Sequence, residues 1–352
     1  MIRKTCLGNI ATKANQRLRR RGSRLAFALL LATVAPSAAL AGLHSGVQYD
    51  ALTTLYTSTN GATWTNHTGW GSGDACGWYG IVCDQNATPS DNTSNVIGIN
   101  LYSNNLTGTL PSLAGVPSLQ SIIILSSHQL GGSIQFLAGL SNLKIVEIAD
   151  DQLTGTIPSL TGWANLQIFY VPFNQLDGSI PSLAGLTNLQ QFTADGNQLT
   201  GSIPALTGLT ALLSFSAPNN LLTGSIPDLS GLTKLSDFEV QYNRLTGTLP
   251  TLTGLTSLGS FKARSNRLTG PIPVVAGLTK LQLFDLGNNQ LTGMVPAAPA
   301  SLTNATLCPN PLDTTPQLAI DPAWDTATHF TPWWANPYPN NNCDDTFTGR
   351  FE

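Results

Sequence analysis

Nine glycines punctuate this chain on a fixed beat: Gly108, Gly132, Gly155, Gly178, Gly201, Gly224, Gly247, Gly270 and Gly293. The first step is 24 residues and every later step is 23. A period in this range builds a solenoid, in which each repeat buries its apolar face against its neighbours. The residue two before each glycine is always Leu, from Leu106 to Leu291, and the residue two after is always Ile, Leu or Val. A position that stays apolar at the repeat period faces the core. Phe169, Phe192, Phe215, Phe238, Phe261 and Phe284 keep the same 23-residue step. Their rings are expected to stack inside the coil, so that truncating one to Ala costs about 3–5 kcal/mol.

A polar row runs in phase with the leucines: Asn104, His128, Asp151, Asn174, Asn197, Asn220, Asn243, Asn266 and Asn289. A buried amide both donates and accepts, so each Asn can tie its loop to the next coil. Removing one is expected to cost about 1–3 kcal/mol. His128 and Asp151 break the row together. A His–Asp pair invites a catalytic or pH-switch reading, but irregular first repeats beside a cap are the plainer account.

The unit LQQFTADGNQLTGSI at Leu189–Ile203 resembles the leucine-rich repeat, L-x-x-L-x-L-x-x-N-x-L. Its tail, L-T-G-x-I-P, resembles the plant-type subclass of receptor-kinase ectodomains and polygalacturonase-inhibiting proteins. The resemblance covers roughly residues 47–300. It implies an α/β solenoid: a right-handed superhelix or horseshoe, a parallel β-sheet on the concave face, and irregular or 3-10 convex segments. Plant units run to about 24 residues; most here are one shorter, and the missing residue falls after the proline, away from the strand.

In that repeat the strand residues between the inward leucines line the concave face. The corresponding positions are Tyr102, Ser126, Glu147, Tyr170, Phe173, Thr193, Asp195, Ser216, Glu239, Gln241, Tyr242, Lys262, Arg264 and Asp285. Nine strands about 4.8 Å apart make a face roughly 40 Å long. Such a face suits a protein, peptide or polysaccharide better than a metabolite, which requires a closed pocket. Glu147, Asp150, Asp151, Asp177 and Asp195 fall in its first half, whereas Arg244, Lys262, Arg264 and Arg267 fall in the seventh and eighth units. Surface scatter is one reading of this asymmetry. A face that orients a charged partner is the other.

Residues 1–41 read as a signal peptide: a basic stretch to Arg24, an apolar run from Leu25 to Val34, and Ala39-Leu40-Ala41 as a cleavage site. The apolar run is shorter than the roughly 20 residues of a membrane span. Eight of the 16 basic residues lie in the first 24 positions, so the mature chain would carry 8 basic against 19 acidic residues, a net charge of −11. That balance argues against nucleic-acid binding, which needs basic surface. The expectation is an exported protein with no membrane span in its mature form. The alanine-rich leader points to a bacterial member of the resembled group.

Cys76, Cys83, Cys308 and Cys343 flank the repeats and none lies within them. In an exported chain this means disulfides. Three pairings are formally possible. Because the ends of a solenoid are far apart, Cys76–Cys83 and Cys308–Cys343 are expected; a zinc site would have to bridge both ends. The domains are then a signal peptide (1–41), an N-terminal cap (42–95), nine repeats (96–297) and a C-terminal cap (298–352). The N-terminal cap sequence, ALTTLYTSTNGATWTNHTGW…CGWYGIVCD, closely resembles that of plant-type and related bacterial leucine-rich repeat proteins. Its Trp64, Trp70 and Trp78 seal the open apolar end of the first coil. Trp324, Trp333 and Trp334 have the same expected task at the other end, an exposed ligand loop being the alternative.

The chain has four histidines, no H-E-x-x-H, no G-x-S-x-G and no phosphate loop. The expectation is therefore a non-catalytic protein without cofactor or metal, binding its partner on the concave sheet. A surface adhesin or matrix component is the alternative, as is an inhibitor of a cell-wall-degrading enzyme.

Overall fold

The computed structural model describes residues 46–84, 94–127, 129–317 and 319–334. The expected leader, His128, Cys343 and the tail beyond Trp334 lie outside the described residues.

The first described element is the helix Val47–Ser58, which buries Leu52 and Leu55. It stops where Asn60 turns left-handed (φ 56°) ahead of Gly61. Trp64, Trp70 and Trp78 follow and are buried. Trp64 and Trp70 meet edge-on at 4.8 Å, and Tyr56 meets Trp64 edge-on at 5.3 Å. Each indole N–H donates to a backbone carbonyl: Trp64 to Thr59, Trp70 to Tyr79 and Trp78 to Ser72. These tryptophans have no free polar edge to offer a ligand; they close the first coil. The Cys76–Cys83 disulfide, with Cα atoms 5.6 Å apart, ties the cap together.

The strand Ile81–Cys83 pairs antiparallel with Val96–Asn100. Every later partner in this eleven-stranded sheet is parallel, out to Asn304–Thr306. With no insertion between repeats, register places each residue beside its own counterpart. Phe169, Phe192, Phe215, Phe238, Phe261 and Phe284 thus form one fully buried column with ring centroids 5.3–5.8 Å apart. This is the leucine-rich repeat solenoid.

The asparagine row closes each coil onto another. Asn197 Oδ1 accepts the Leu176 amide at 3.0 Å, and its Nδ2 donates to the Val171 and Ala194 carbonyls at 3.1 Å. Asn174, Asn220, Asn243, Asn266 and Asn289 repeat the pattern. Asn104 differs: it binds both the amide and the carbonyl of Asn66, fastening the first coil to the cap.

Short parallel pairs form at the Thr-Gly positions, such as Thr154–Thr156 with Gln175–Asp177. The repeating glycines sit there with positive φ. At Gly108 (φ +83°) a Cβ would come within 2.3 Å of the Ser58 carbonyl oxygen, so no side chain fits. On the convex side one 3-10 turn, Ile134–Leu137, stands among plain turns of the described residues.

One coil more than the nine glycines announce continues the solenoid. Asn304–Thr306 pairs with Leu283–Asp285, and Asn310 takes the ladder position, its Oδ1 accepting the Leu291 amide at 2.9 Å. The helix Asp321–Thr328 then covers the end. Its Trp324 is fully buried, and its N–H donates to the Pro296 carbonyl at 2.8 Å. Trp333 is buried too and donates to Asp321. Cys308 is disulfide-bonded; Cys343, its expected partner, lies outside the described residues.

Candidate binding surface

Alternation along each short strand decides which side chains reach the outer face of the sheet. In the strand Asp237–Glu239 and its continuation, Phe238 and Val240 enter the core. Asp237, Glu239 and Gln241 therefore turn outward. Parallel register then lines equivalent outward residues into rows across the coils.

One row runs Glu147, Tyr170, Thr193, Ser216, Glu239, Lys262, Asp285 and Thr306, each residue paired with the next. Beside it, at the equivalent position two residues further along each coil, stand Asp195, Gln241 and Arg264. Polar contacts link residues within and between the two rows. Ser216 Oγ donates to Asp195 Oδ1 at 2.7 Å. Lys262 Nζ donates to Glu239 Oε1 at 2.5 Å. Arg264 and Asp285 lie 4.0 Å apart, at the outer limit of an ion pair.

This floor is tightly packed. Thr193, Ser216 and Gln241 are all buried. Burial raises the Asp195 carboxyl to about 7, with Glu239 pushing the same way and Ser216 and Lys262 opposing. Burial also raises Glu147, Asp237 and Asp285 above the usual carboxylate range, with Arg264 opposing at Asp285. The Tyr170 phenol is pushed up to about 12, first by burial and then by Asp195, Asp150 and Glu147. Negative charge is thus crowded on this face and only partly offset by Lys262 and Arg264.

Two of the expected concave-face residues are placed differently from the strand residues with which they were grouped. Phe173 and Tyr242 occupy the turn that leaves the strand, in the left-handed region (φ 54° and 58°), as does Ser126 (φ 61°). The same turn position holds Asp150, Asn219, Ser265 and Asn288, all with positive φ. These side chains form the rim of the face rather than its floor. Phe173 leans on the next coil, where a Cβ on Gly196 would come within 2.7 Å of its ring. Tyr242 is half exposed, as is Tyr102 on the first coil.

The structure also adds Asp237 to the floor, a residue that the repeat consensus gave no reason to single out. Its position one residue before an inward Phe is the signal that could have found it. Among the described residues no group of three His, Cys, Asp or Glu side chains is arranged to hold a metal ion. No described helix is long and apolar enough to cross a membrane.

No protein-family model matches the chain, and no curated protein matches it by sequence. Solved structures do. The leucine-rich repeat ectodomain of the plant membrane receptor kinase GASSHO1/SCHENGEN3 from Arabidopsis thaliana, in complex with CASPARIAN STRIP INTEGRITY FACTOR 2, is 31% identical with a TM-score of 0.67; the match covers 75% of this chain and 33% of that one. The plant peptide hormone receptor RGFR1 in complex with RGF2 is 28% identical with a TM-score of 0.57, over 60% of this chain and 36% of that one. A plant ice-binding protein is similar in fold alone, at 24% identity and a TM-score of 0.52, over 72% of this chain and 90% of that one. The chain thus spans about a third of the length of these two receptor structures.

Proposed function

We propose that this leucine-rich repeat protein is an exported, non-catalytic binding protein that holds a peptide or protein partner on the concave face of its sheet. The observation that carries the reading is the double row from Glu147 to Asp285, where outward polar and charged side chains converge on one continuous floor. Seven coils at about 4.8 Å give that floor a length near 29 Å, which matches an extended chain of about nine residues. Both receptor ectodomains named above are solved in complex with a named partner, and RGFR1 is a peptide hormone receptor. The caps spend their tryptophans on packing, which leaves the sheet as the surface with uncommitted chemistry. The Cys76–Cys83 disulfide fits an exported chain.

The test is binding of the oxidised chain, without residues 1–41, to arrays of secreted proteins, peptides and glycans. The wild type is run beside a Tyr170→Ala/Tyr242→Ala/Arg264→Ala variant. A protein or peptide hit that is lost in the variant is the expected result. A hit that survives the three substitutions removes the sheet as the binding surface. Hits confined to glycans would replace a peptide or protein partner with a polysaccharide.

A further inference from the structure

The floor of the sheet carries five carboxylates, Glu147, Asp195, Asp237, Glu239 and Asp285, against two cations, Lys262 and Arg264. Lys262 is already committed to Glu239, and Arg264 approaches Asp285 only at 4.0 Å. The charge imbalance is built into packed surface, where water screens it least.

A second observation points the same way. The Oε1 atom of Gln241 is buried and has no hydrogen-bond partner among the described residues. The residue is only 9% exposed, yet it turns outward on the floor between Pro218 and Arg264 in its row. Asp285 Oδ1 is likewise buried without a hydrogen bond among the described residues, with Arg264 facing it only at 4.0 Å. Both groups are acceptors. An unpaired buried acceptor is costly, and a ligand that donates to it removes that cost. Donors that also bring positive charge answer both observations at once.

We infer that the partner meets this floor with a basic segment: an extended stretch of polypeptide whose Arg or Lys side chains lie over Asp195, Glu239 and Gln241. The inference rests on the reading of the sheet as the ligand surface and adds the chemistry of what lies there. Arginine fits better than lysine, because its planar fork can donate to a carboxylate and, once the Gln241 side chain turns toward it, to the Gln241 carbonyl together.

The experiment uses three fluorescein-labelled probes of about nine residues, with repeats of Arg-Gly-Ser, Gln-Gly-Ser and Glu-Gly-Ser. Anisotropy reads their affinity for the oxidised chain without residues 1–41, at low salt and neutral pH. The Arg probe is expected to bind at least about tenfold more tightly than the Gln probe, with the Glu probe weakest. The Asp195→Asn/Glu239→Gln variant should reduce that preference to within about threefold. The Asp228→Asn/Asp313→Asn variant removes at least as much negative charge through two exposed carboxylates away from the floor, and should leave the preference unchanged. Circular dichroism melts confirm that both variants fold.

Absence of Arg-probe binding overturns the inference. So does an equal loss in the two variants, which would mean attraction to net charge alone. Equal binding of all three probes overturns it as well, while the sheet remains a ligand surface. That broader reading fails separately, in the array experiment with the triple alanine variant.

Discussion

The ring of Trp324 lies 6.4 Å from that of Phe284, so the phenylalanine column ends against a tryptophan from the C-terminal helix. The end of the column is closed by a tilted ring contact, longer than the 5.3–5.8 Å spacing inside it. The helix that supplies Trp324 comes from sequence with no repeat signature.

Trp324→Ala is expected to destabilise the chain by about 3–5 kcal/mol. Because a coil touches only its neighbours, the loss should be local first. Hydrogen exchange should rise in Asn304–Thr306 and Leu283–Asp285 and stay unchanged in Ile168–Tyr170. Uniform loss of protection along the solenoid would show that the coils unfold as one unit.

Asn197→Ala should cost about 1–3 kcal/mol in urea unfolding, because it leaves the Leu176 amide without its acceptor and takes one of two side-chain donors from each of the Val171 and Ala194 carbonyls, which keep Asn174 and Asn220. Asn197→Asp should rescue little of this, because a carboxylate accepts but cannot donate to those carbonyls. If Asp restored full stability, the donor half of the ladder would be irrelevant.

Stability should fall as pH rises from the ordinary carboxylate range toward neutrality. Asp195 titrates at about 7 in the folded chain, against about 3.9 when unfolded. Between those values the folded state holds a proton that the unfolded state has released, so raising pH favours unfolding. Glu147, Asp237 and Asp285 are shifted in the same direction. Asp228 and Asp313, held low by Ser230 and Thr315, act in the opposite sense only at more acid pH. Thermal melts from about pH 4.5 to 7.5 should show a falling Tm. Asp195→Asn should flatten the slope, and an unchanged slope would exclude Asp195 as its source.

Opening the Cys76–Cys83 loop, whose ends are 7 residues apart, should cost about 2.5 kcal/mol by chain entropy alone. A Cys76→Ser/Cys83→Ser variant measures it. The Trp64–Trp70 contact should persist in near-ultraviolet dichroism, because it rests on packing and on hydrogen bonds that do not involve sulfur.

Much of this architecture was legible from the period. The Leu, Phe and Asn rows each repeat a single physical demand, and identical demands at fixed spacing leave one way to stack them. Asn310 escaped because it follows Asn289 by 21 residues rather than 23, although Leu307, Asn310 and Leu312 keep the L-x-x-N-x-L spacing. Phe173 and Tyr242 were grouped with the strand because the repeat motif alone does not show where the strand ends. The positive φ at both marks a turn. The polar floor was only half readable. Register predicts which residues share a row, but the Ser216–Asp195 bond and the unbonded Gln241 Oε1 depend on side-chain packing that no repeat encodes.

The asparagine ladder also has a direction. Asn197 completes an amide that lies 21 residues before it and a carbonyl 26 residues before it. Each coil is therefore finished by its successor. During synthesis from the N-terminus, the newest coil always waits for the one behind it, while all older coils are already closed. A nascent chain of this kind exposes one unfinished edge at a time, and the N-terminal cap guards the other from the start.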